Sequence, residues 1–529
     1  MKSAVGADIG GNRMKKIITK RSLRHGSVSL MLTVLIVACA VILNVIAAML
    51  CMRYDWMYVE LQRPLTFEIS EDCYEYLEQY VIHEVDRAND GKSKKEKIKI
   101  ILCDSEENIR SEKLYGYVLD SIEDICTYFD GYIEIEHLNI WEYPTRAASL
   151  GVTSTEDVVC VFGDKHQTVN LKDMFLLESY GYEATPTAYN GEKMLASCLM
   201  SVTQKESPVC YLTVNHGEVF EDYEFVKMIA EAGYTVGFLD LFADEIPDDC
   251  DMLVTFDPKK DMAVSGDVNE VSEIERLQKY IYAGGKYMVF LSADTFASGG
   301  FDNFEGFLAS LGVKYMHEEQ KDGAEGCYLV RDTANSLTVD GYTVLSENAS
   351  VGKGAEALGG ISVPNAFGNS TAIAYAEGFT KDGKGNAVSK DGKTTVYPVL
   401  LSRSSAIAWA NGRAVARASD EPFMLMTMSE RTGESGETGY LLACASVEFA
   451  SEGAMQSSVL GNSRTLTQMI RYMGKENAPA SLVFKPFGEK SIQSVTTREA
   501  NITTVVMCVL PIITCATVGA VVLVRRKQK

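Results

Sequence analysis

A histidine and several carboxylates follow successive apolar runs in the middle of the chain. The segment Asn215-His216-Gly217-Glu218 comes directly after the run 209–214, and an aspartate follows each of the next three runs. Because ligands collect at the carboxyl ends of strands in an open parallel sheet, we expect these side chains to share one rim. Imidazole and carboxylate groups together can bind a metal ion or a polar ligand. The predicted ligand-binding rim consists of Asn215, His216, Gly217, Glu218, Asp240, Asp257 and Asp294.

The same residues also have a purely structural interpretation. An aspartate after a strand commonly caps a helix or closes a turn, and neither role needs a ligand. Other histidines are scattered without the spacing of metal ligands, namely His83, His137, His166 and His317. We therefore assign no metal and no cofactor, and whether the rim binds a ligand stays open.

Standard catalytic motifs are missing from the sequence. It has no G-x-x-x-x-G-K-[ST] phosphate loop, so the chain is not itself a P-loop ATPase. The absence of a G-x-S-x-G elbow weakens a hydrolase interpretation, and the absence of C-x-x-C argues against a zinc site or a dithiol redox centre of that type. The sequence thus predicts no catalytic residue and a protein that is not an enzyme.

The elements that must position the rim alternate between strand and helix. Apolar strand patterns at 209–214, 235–239, 252–256 and 287–291 are separated by helical patterns at 223–232 and 271–281. Repeated strand-helix units of this length predict a doubly wound, flavodoxin/Rossmann-like α/β domain. We assign it residues 206–315 and 421–490, interrupted by a β-rich insertion at 316–420 with many turn signals.

A second α/β domain is predicted at 53–205. Its patterns run strand, helix, strand, short helix, strand, strand, helix, which is the order of a thioredoxin-like domain. The catalytic cysteines of that fold are missing, so only the scaffold is predicted. Cysteines such as Cys103, Cys160, Cys210 and Cys444 fall within apolar strand patterns, where a thiol behaves as a small core residue.

The two ends of the chain differ from its middle in charge and hydropathy. Residues 1–26 carry seven basic side chains against one acidic one, the last five residues carry four basic ones, and the rest carries 39 basic and 71 acidic ones. The acidic balance, −22 overall, argues against a nucleic-acid-binding protein. Apolar runs at 28–52 and 502–524 abut the basic ends and are long enough to span a bilayer.

These patterns predict a membrane protein with two transmembrane helices. Basic residues favour the cytoplasmic side, which predicts cytoplasmic tails at 1–27 and 525–529 and an extracytoplasmic region from about 53 to 500 at the cell membrane. A cleaved signal peptide is the alternative for the first segment, but the apolar part of a signal peptide is normally shorter.

The chain resembles the GldG-like auxiliary proteins of ABC-2 type transporters, which are related to an intraflagellar-transport-like domain. The family's Phe-x-Gly-Glu segment before a helix is similar to Tyr189-Asn190-Gly191-Glu192, and its Gly-His-Gly-Glu after a strand is similar to Asn215-His216-Gly217-Glu218. Further similar segments are Ala232-Gly233-Tyr234, Ile246-Pro247, Asp251-Met252-Leu253-Val254, Gly284-Gly285-Lys286, Leu510-Pro511 and Val524-Arg525-Arg526. The segment Ala445-Ser446-Val447-Glu448-Phe449 is a degenerate form of the family's Gly-Asp-Ser-x-Phe.

The resemblance implies a non-catalytic accessory subunit that works with separate permease and ATPase chains. Its partners would then be those chains and the lipid bilayer, with an unidentified cargo or envelope component contacting the exported domains. Two alternatives from other classes remain. One is an extracellular metal-dependent hydrolase using His216, Glu218 and the rim aspartates, and the other is a surface receptor that binds a polymer.

Overall fold

The fold is mixed α/β. A computed structural model describes residues 67–180, 183–218, 223–265, 272–298, 300–321, 324–434, 436–457, 459–475 and 477–487. All of these residues belong to one compact unit by their contacts. Three layers of helix, sheet and helix recur along the chain because strands with apolar residues on both faces need covering from both sides.

The first part of the fold is built on a four-stranded sheet with order β2-β1-β3-β4. Strands β1 and β2 are parallel, whereas β3 is antiparallel to both β1 and β4. The strands are β1 Ile98–Leu102, β2 Ile133–His137, β3 Asp157–Phe162, β4 Lys165–Asn170, β5 Phe175–Tyr180 and β6 Glu183–Tyr189. The helices are α1 Glu71–Leu77, α2 His83–Asn89, α3 Glu106–Ser111, α4 Lys113–Tyr128, α5 Pro144–Ser149 and α6 Gly191–Thr203.

Two elements are added to the predicted order between β1 and α6, namely α3, which precedes α4, and a β-hairpin. The β5–β6 hairpin lies between β4 and α6, and β26 (Lys485–Pro486) pairs with β6 as a third strand. A π-helical turn, Glu78–Ile82, joins α1 to α2. The added hairpin therefore brings the end of the described chain back onto its first domain.

The second part of the fold contains a large sheet whose first five strands are parallel, in the order β8-β7-β9-β10-β25. These strands are β7 Val209–Thr213, β8 Thr235–Leu239, β9 Cys250–Phe256, β10 Lys286–Phe290 and β25 Thr438–Cys444. The helices of this part are α7 Tyr223–Glu231, α8 Glu273–Tyr282, α9 Asp302–Ser310, α10 Gly352–Ala357, α11 Glu452–Met455 and α12 Asn462–Tyr472.

Helices cover both faces of this sheet. On one face, Leu212 and Met288 pack in a core with Ile229 of α7 and Met469 of α12. On the other face, Leu253, Val289 and Leu441 pack with Leu277 of α8 and Phe304 of α9. Because successive side chains of a strand point to opposite faces, the strands contribute to two separate cores, one on each face of the sheet.

The predicted insertion at 316–420 contributes strands to the large sheet of the second part. Strand β21 (Thr394–Leu401) pairs antiparallel with β24 (Met424–Thr432), which pairs with β25, so the large sheet continues into the predicted insertion. The pattern of β21 is mostly buried, which explains why it joins the main sheet rather than a surface hairpin. The other strands here are β11 Val313–Tyr315, β12 His317–Lys321, β13 Ala324–Cys327, β14 Leu329–Arg331, β15 Thr343–Leu345, β16 Glu347–Asn348, β17 Ala366–Gly368, β18 Ile373–Tyr375, β19 Phe379–Lys381, β20 Ala387–Ser389, β22 Ile407–Ala410 and β23 Arg413–Arg417.

The prediction of a membrane protein with transmembrane helices is corrected by the structure. In the part of the chain that the structure describes, no helix is both long enough and apolar enough to cross a membrane. A spanning helix needs about 20 apolar residues, whereas α4 has 16 residues and buries only part of its surface. The segments 28–52 and 502–524 and the basic tails 1–27 and 525–529 lie outside the described residues.

Candidate functional site: a buried histidine and a terminal clasp

The chain reverses sharply after β7. Asn215 and Gly217 both have left-handed backbone conformations, with φ of 83° and 84°. Glycine adopts this conformation without strain, and asparagine tolerates it better than most residues. Asn215 therefore fits this position of the turn. The turn directs His216, which lies between these two residues, into the protein rather than towards the rim.

His216 lies between two carboxylates that are buried with it. Its Nε2 is 3.0 Å from Oε1 of Glu273, and its Nδ1 is 3.4 Å from Oε1 of Glu218. The His216 residue is 5% exposed and Glu273 is 2% exposed. Glu273 begins α8, 57 residues from His216, and no sequence motif marks it as a partner of the histidine. We call His216, Glu218 and Glu273 the buried triad.

Hydrogen bonds from the surrounding chain hold both carboxylates in place. Glu218 accepts from the backbone N–H of His216 at 2.7 Å and from the Thr213 hydroxyl at 3.1 Å. Glu273 accepts from the backbone N–H of Ala263 at 2.7 Å. Thr213 also hydrogen-bonds Thr255, so the triad is tied to β7 and β9. These contacts fix the positions of the two negative charges that His216 meets.

The environment of His216 favours the imidazolium form. Burial would lower its pKa, but hydrogen bonds and negative charges from Glu218 and Glu273 outweigh burial and raise the pKa from 6.5 to about 10. His216 is therefore a cation at neutral pH, with both ring nitrogens protonated and directed at carboxylates. An imidazolium can neither accept a proton as a general base nor ligate a metal ion.

The rim aspartates make separate local contacts. Asp240 accepts a hydrogen bond from the Asn215 side chain and from the backbone N–H of Phe242. Asp257 pairs with Lys259 at 2.7 Å and accepts from the Thr295 hydroxyl at 3.0 Å. Asp294 is exposed and begins a 3-10 helix, Asp294–Ser298. The structure thus brings Asn215 to Asp240, whereas His216 contacts Glu218 and Glu273, and ligand binding by the rim stays a prediction.

No group of three or more His, Cys, Asp or Glu side chains that could hold a metal ion is found among the described residues. The buried triad combines one histidine with two carboxylates. There, the positive charge of His216 already occupies the space between the two carboxylates. The residues that would hold a cation are therefore engaged with one another.

A second cluster joins the first and last described segments of the chain. Glu192, in the first turn of α6, accepts hydrogen bonds from the backbone N–H of Ser70 at 2.7 Å and the Ser70 hydroxyl at 2.8 Å. It also pairs with Lys485 at 2.5 Å. The Lys485 ammonium in turn donates to the backbone carbonyl of Glu68. The buried carboxylate of Glu192 therefore contacts both the first and the last described segments of the chain.

Aromatic rings complete this cluster. Phe67 stacks on Tyr117 with ring centroids 4.5 Å apart, and its ring lies 5.0 Å from Tyr189 and 5.5 Å from Phe487. Phe175 contacts both Tyr189 and Phe487. We call the set Phe67, Ser70, Tyr189, Glu192, Lys485 and Phe487 the terminal clasp. The segment Tyr189-Asn190-Gly191-Glu192 supplies both the carboxylate and one of the rings of this clasp.

Gly191 is required by the same packing, because a Cβ atom at this position would overlap the ring of Tyr189. We expect Gly191→Ala to lower the free energy of unfolding by about 1–3 kcal/mol, the usual range for overpacking a core. Urea unfolding followed by circular dichroism measures this change. Gly306→Ala is the matched control, because its Cβ would meet open space within α9, and we expect it to be neutral or stabilising. Equal stability of Gly191→Ala and wild type would show that the ring is not packed as described.

Comparisons with known proteins give only distant likenesses. No protein-family model and no curated protein matches the chain. Among solved structures, the mmIFT52 N-terminal domain has 12% identity and a TM-score of 0.35, covering 50% of this chain and 97% of that one. PurLQS from Thermotoga maritima has 12% identity and a TM-score of 0.26, covering 51% of this chain and 100% of that one. Cytoplasmic Protein STM3548 from Salmonella typhimurium has 9% identity and a TM-score of 0.27, covering 53% of this chain and 99% of that one.

Proposed function

We propose that this chain is a non-catalytic accessory subunit of an ABC-2 type transporter that works with separate permease and ATPase chains. The observation that carries the proposal is the terminal clasp. One basis of the family resemblance is the segment Tyr189-Asn190-Gly191-Glu192. Glu192 of this segment contacts both Ser70, near the first described residue, and Lys485, near the last one. The motif thus holds the first and last described segments together, and in the proposal this is its role in the accessory subunit.

The clasp brings the first and last described residues together. Phe67 and Phe487 are in contact, so both ends of the described fold lie side by side. In the proposal, the transporter contacts the folded region beside this clasp. The proposal puts the folded region on the extracytoplasmic side of that transporter, where it engages cargo or an envelope partner.

The buried triad supports a non-catalytic role. The imidazole in the resemblance motif is enclosed by Glu218 and Glu273, and its raised pKa keeps it protonated. A hydrolase would need this side chain to face a substrate with a free lone pair. In the proposal, the triad instead fixes the junction between β7, β9 and α8.

The proposal also assigns a fold type to each of the two domains. The first domain is taken as thioredoxin-like because its sheet order and the succession from β1 to α6 fit that scaffold. The second is taken as flavodoxin/Rossmann-like because parallel strands carry helices on both faces. Both serve as binding scaffolds. Lys193 of α6 pairs with Glu231 of α7 at 2.8 Å, an ion pair that couples the two domains.

Purification of the tagged full-length chain from its native cells, in mild detergent, tests the proposal. We expect mass spectrometry to identify an ABC-2 permease and its ATPase in the same complex. Recovery of the chain alone, under conditions that preserve other transporter complexes, would contradict the proposal. Stoichiometric metal in the purified chain together with hydrolytic activity would favour the enzyme alternative instead.

A further inference from the structure

Two buried cysteines lie against each other at the junction of β3 and α6. Cys160 of β3 and Cys198 of α6 are 0% and 1% exposed, and both side chains belong to the same buried core. The Cys198 thiol donates to the backbone carbonyl of Gln167 at 3.3 Å, and Gln167 lies directly opposite Cys160 in the β3–β4 ladder. Directly opposed residues on antiparallel strands are neighbours, with Cβ atoms about 5 Å apart. The ladder therefore places the Cys198 sulfur at the level of Cys160.

We propose that Cys160 and Cys198 form a modification site, at which exchange with an external disulfide produces an intramolecular disulfide between β3 and α6. This inference is independent of the proposed transporter role. It concerns a pair of thiols 38 residues apart in sequence, unlike the two cysteines of a C-x-x-C motif.

The surroundings decide which sulfur reacts first. Cys198 borders a cleft of about 370 Å³, which is also lined by Gln167, Ser197 and Ser201, whereas Cys160 does not line it. The hydroxyl of Ser197 is buried there without a hydrogen-bond partner among the described residues. Hydrogen bonding to Cys198, together with burial, keeps the pKa of Cys160 well above its usual value. Cys198 is therefore the attacking residue and Cys160 the resolving one.

The chemistry balances with a disulfide as the oxidant. The Cys198 thiolate attacks one sulfur of the external disulfide, which forms a mixed disulfide and releases one thiolate. The Cys160 thiolate then attacks the Cys198 sulfur, which forms the internal S–S bond and releases the second thiolate. Two electrons pass from the protein thiols to the external disulfide, and the two protein protons end on the two released thiols.

Other cysteine pairs fit this chemistry less well. Cys210 and Cys250 are on neighbouring strands, but their side chains belong to the cores on opposite faces of the sheet. Cys126 of α4 is half-buried and makes the smallest of the contributions that raise the pKa of Cys160, so it is the competing partner. No hydrogen bond between Cys126 and Cys160 accompanies that effect.

The bond would connect the sheet of the first domain to the helix that begins with Gly191 and Glu192. Since α6 carries the carboxylate of the terminal clasp, the oxidised protein should hold that helix more firmly against β3. A cross-link that restricts the unfolded chain also raises the midpoint of thermal unfolding. We therefore expect oxidation to raise the melting temperature of the full chain.

The test treats the reduced full-length protein with oxidised glutathione and maps its peptides without reduction. We expect a Cys160–Cys198 cross-linked peptide that dithiothreitol removes, while circular dichroism shows a folded protein throughout. Cys160→Ser should trap glutathione on Cys198, Cys198→Ser should abolish the cross-link, and Cys73→Ser should leave it unchanged. A Cys126–Cys160 cross-link, or a Cys160 and Cys198 pair that stays reduced in the folded protein, would overturn the proposal. The peptide map of the oxidised wild-type protein tests the proposal even if a variant fails to fold.

Discussion

Replacing His216 by alanine is expected to lower the free energy of unfolding by about 3–5 kcal/mol, because removing one partner of a buried ion pair leaves uncompensated charge. In this case the carboxylates of Glu218 and Glu273 would face each other without the imidazolium between them. Urea unfolding at neutral pH measures the loss. Adding Glu273→Gln to the alanine variant should recover part of it, since that change removes one of the two charges.

The matched control is His166→Ala, because His166 is exposed on β4. We expect this change to stay within about 0.5 kcal/mol of wild type. If His216→Ala is no more destabilising than His166→Ala, the histidine does not hold the two carboxylates together.

The same histidine predicts a pH dependence. Its pKa is about 10 in the folded protein and 6.5 for an unperturbed histidine, so the folded state binds the proton more tightly. The stabilisation is therefore complete below about pH 6.5 and is lost as the pH rises towards 10. Wild type should lose more stability than His216→Ala between pH 7 and pH 10. Parallel losses in the two proteins would show that His216 does not titrate in this way.

Replacing Glu192 by alanine is the second change with a large expected effect. We expect the free energy of unfolding to fall by about 3 kcal/mol, because Lys485 loses its carboxylate and Ser70 loses the acceptor for two donors. Glu192→Gln should be less damaging, since an amide oxygen can still accept from Ser70. Chemical unfolding of the two variants and wild type gives the comparison.

Limited proteolysis gives a second, local readout of the terminal clasp. With Glu192→Ala, we expect faster cleavage near Ser70 and Lys485 than in wild type, because both segments lose their shared partner. Glu75→Ala is the control, since Glu75 is exposed on α1. Unchanged cleavage at both segments in Glu192→Ala would mean that the clasp is held by its aromatic rings rather than by this carboxylate.

The parallel strands could be predicted from sequence because each is a short apolar run bounded by a helix pattern or a turn. The runs at 209–214 and 287–291 correspond to β7 and β10, and their order in the chain implied parallel pairing. Strand β21 was assigned to a separate insertion instead. Its pairing with β24 depends on register between distant residues, which a local pattern does not encode.

In the candidate sites too, local features could be predicted from sequence, whereas contacts between distant residues could not. The strand-end position of His216 was predictable, but its direction was not, because the left-handed turn at Asn215 and Gly217 points it inward. Glu273 and Glu192 were not selected as functional residues because their partners lie far away in sequence. Glu192 meets Ser70 across 122 residues and Lys485 across 293. Such pairs form only when the chain folds and brings distant residues together.

Photo-crosslinking from the terminal clasp tests the central claim most directly. A photoreactive residue in place of Glu68, whose side chain is exposed beside the clasp, would be introduced into the full-length chain in its native cells. The account predicts a covalent adduct with the ABC-2 permease, weakened when Glu192→Ala opens the clasp. A folded and tagged chain that gives no permease adduct from this position, in cells that contain the transporter, would contradict the account.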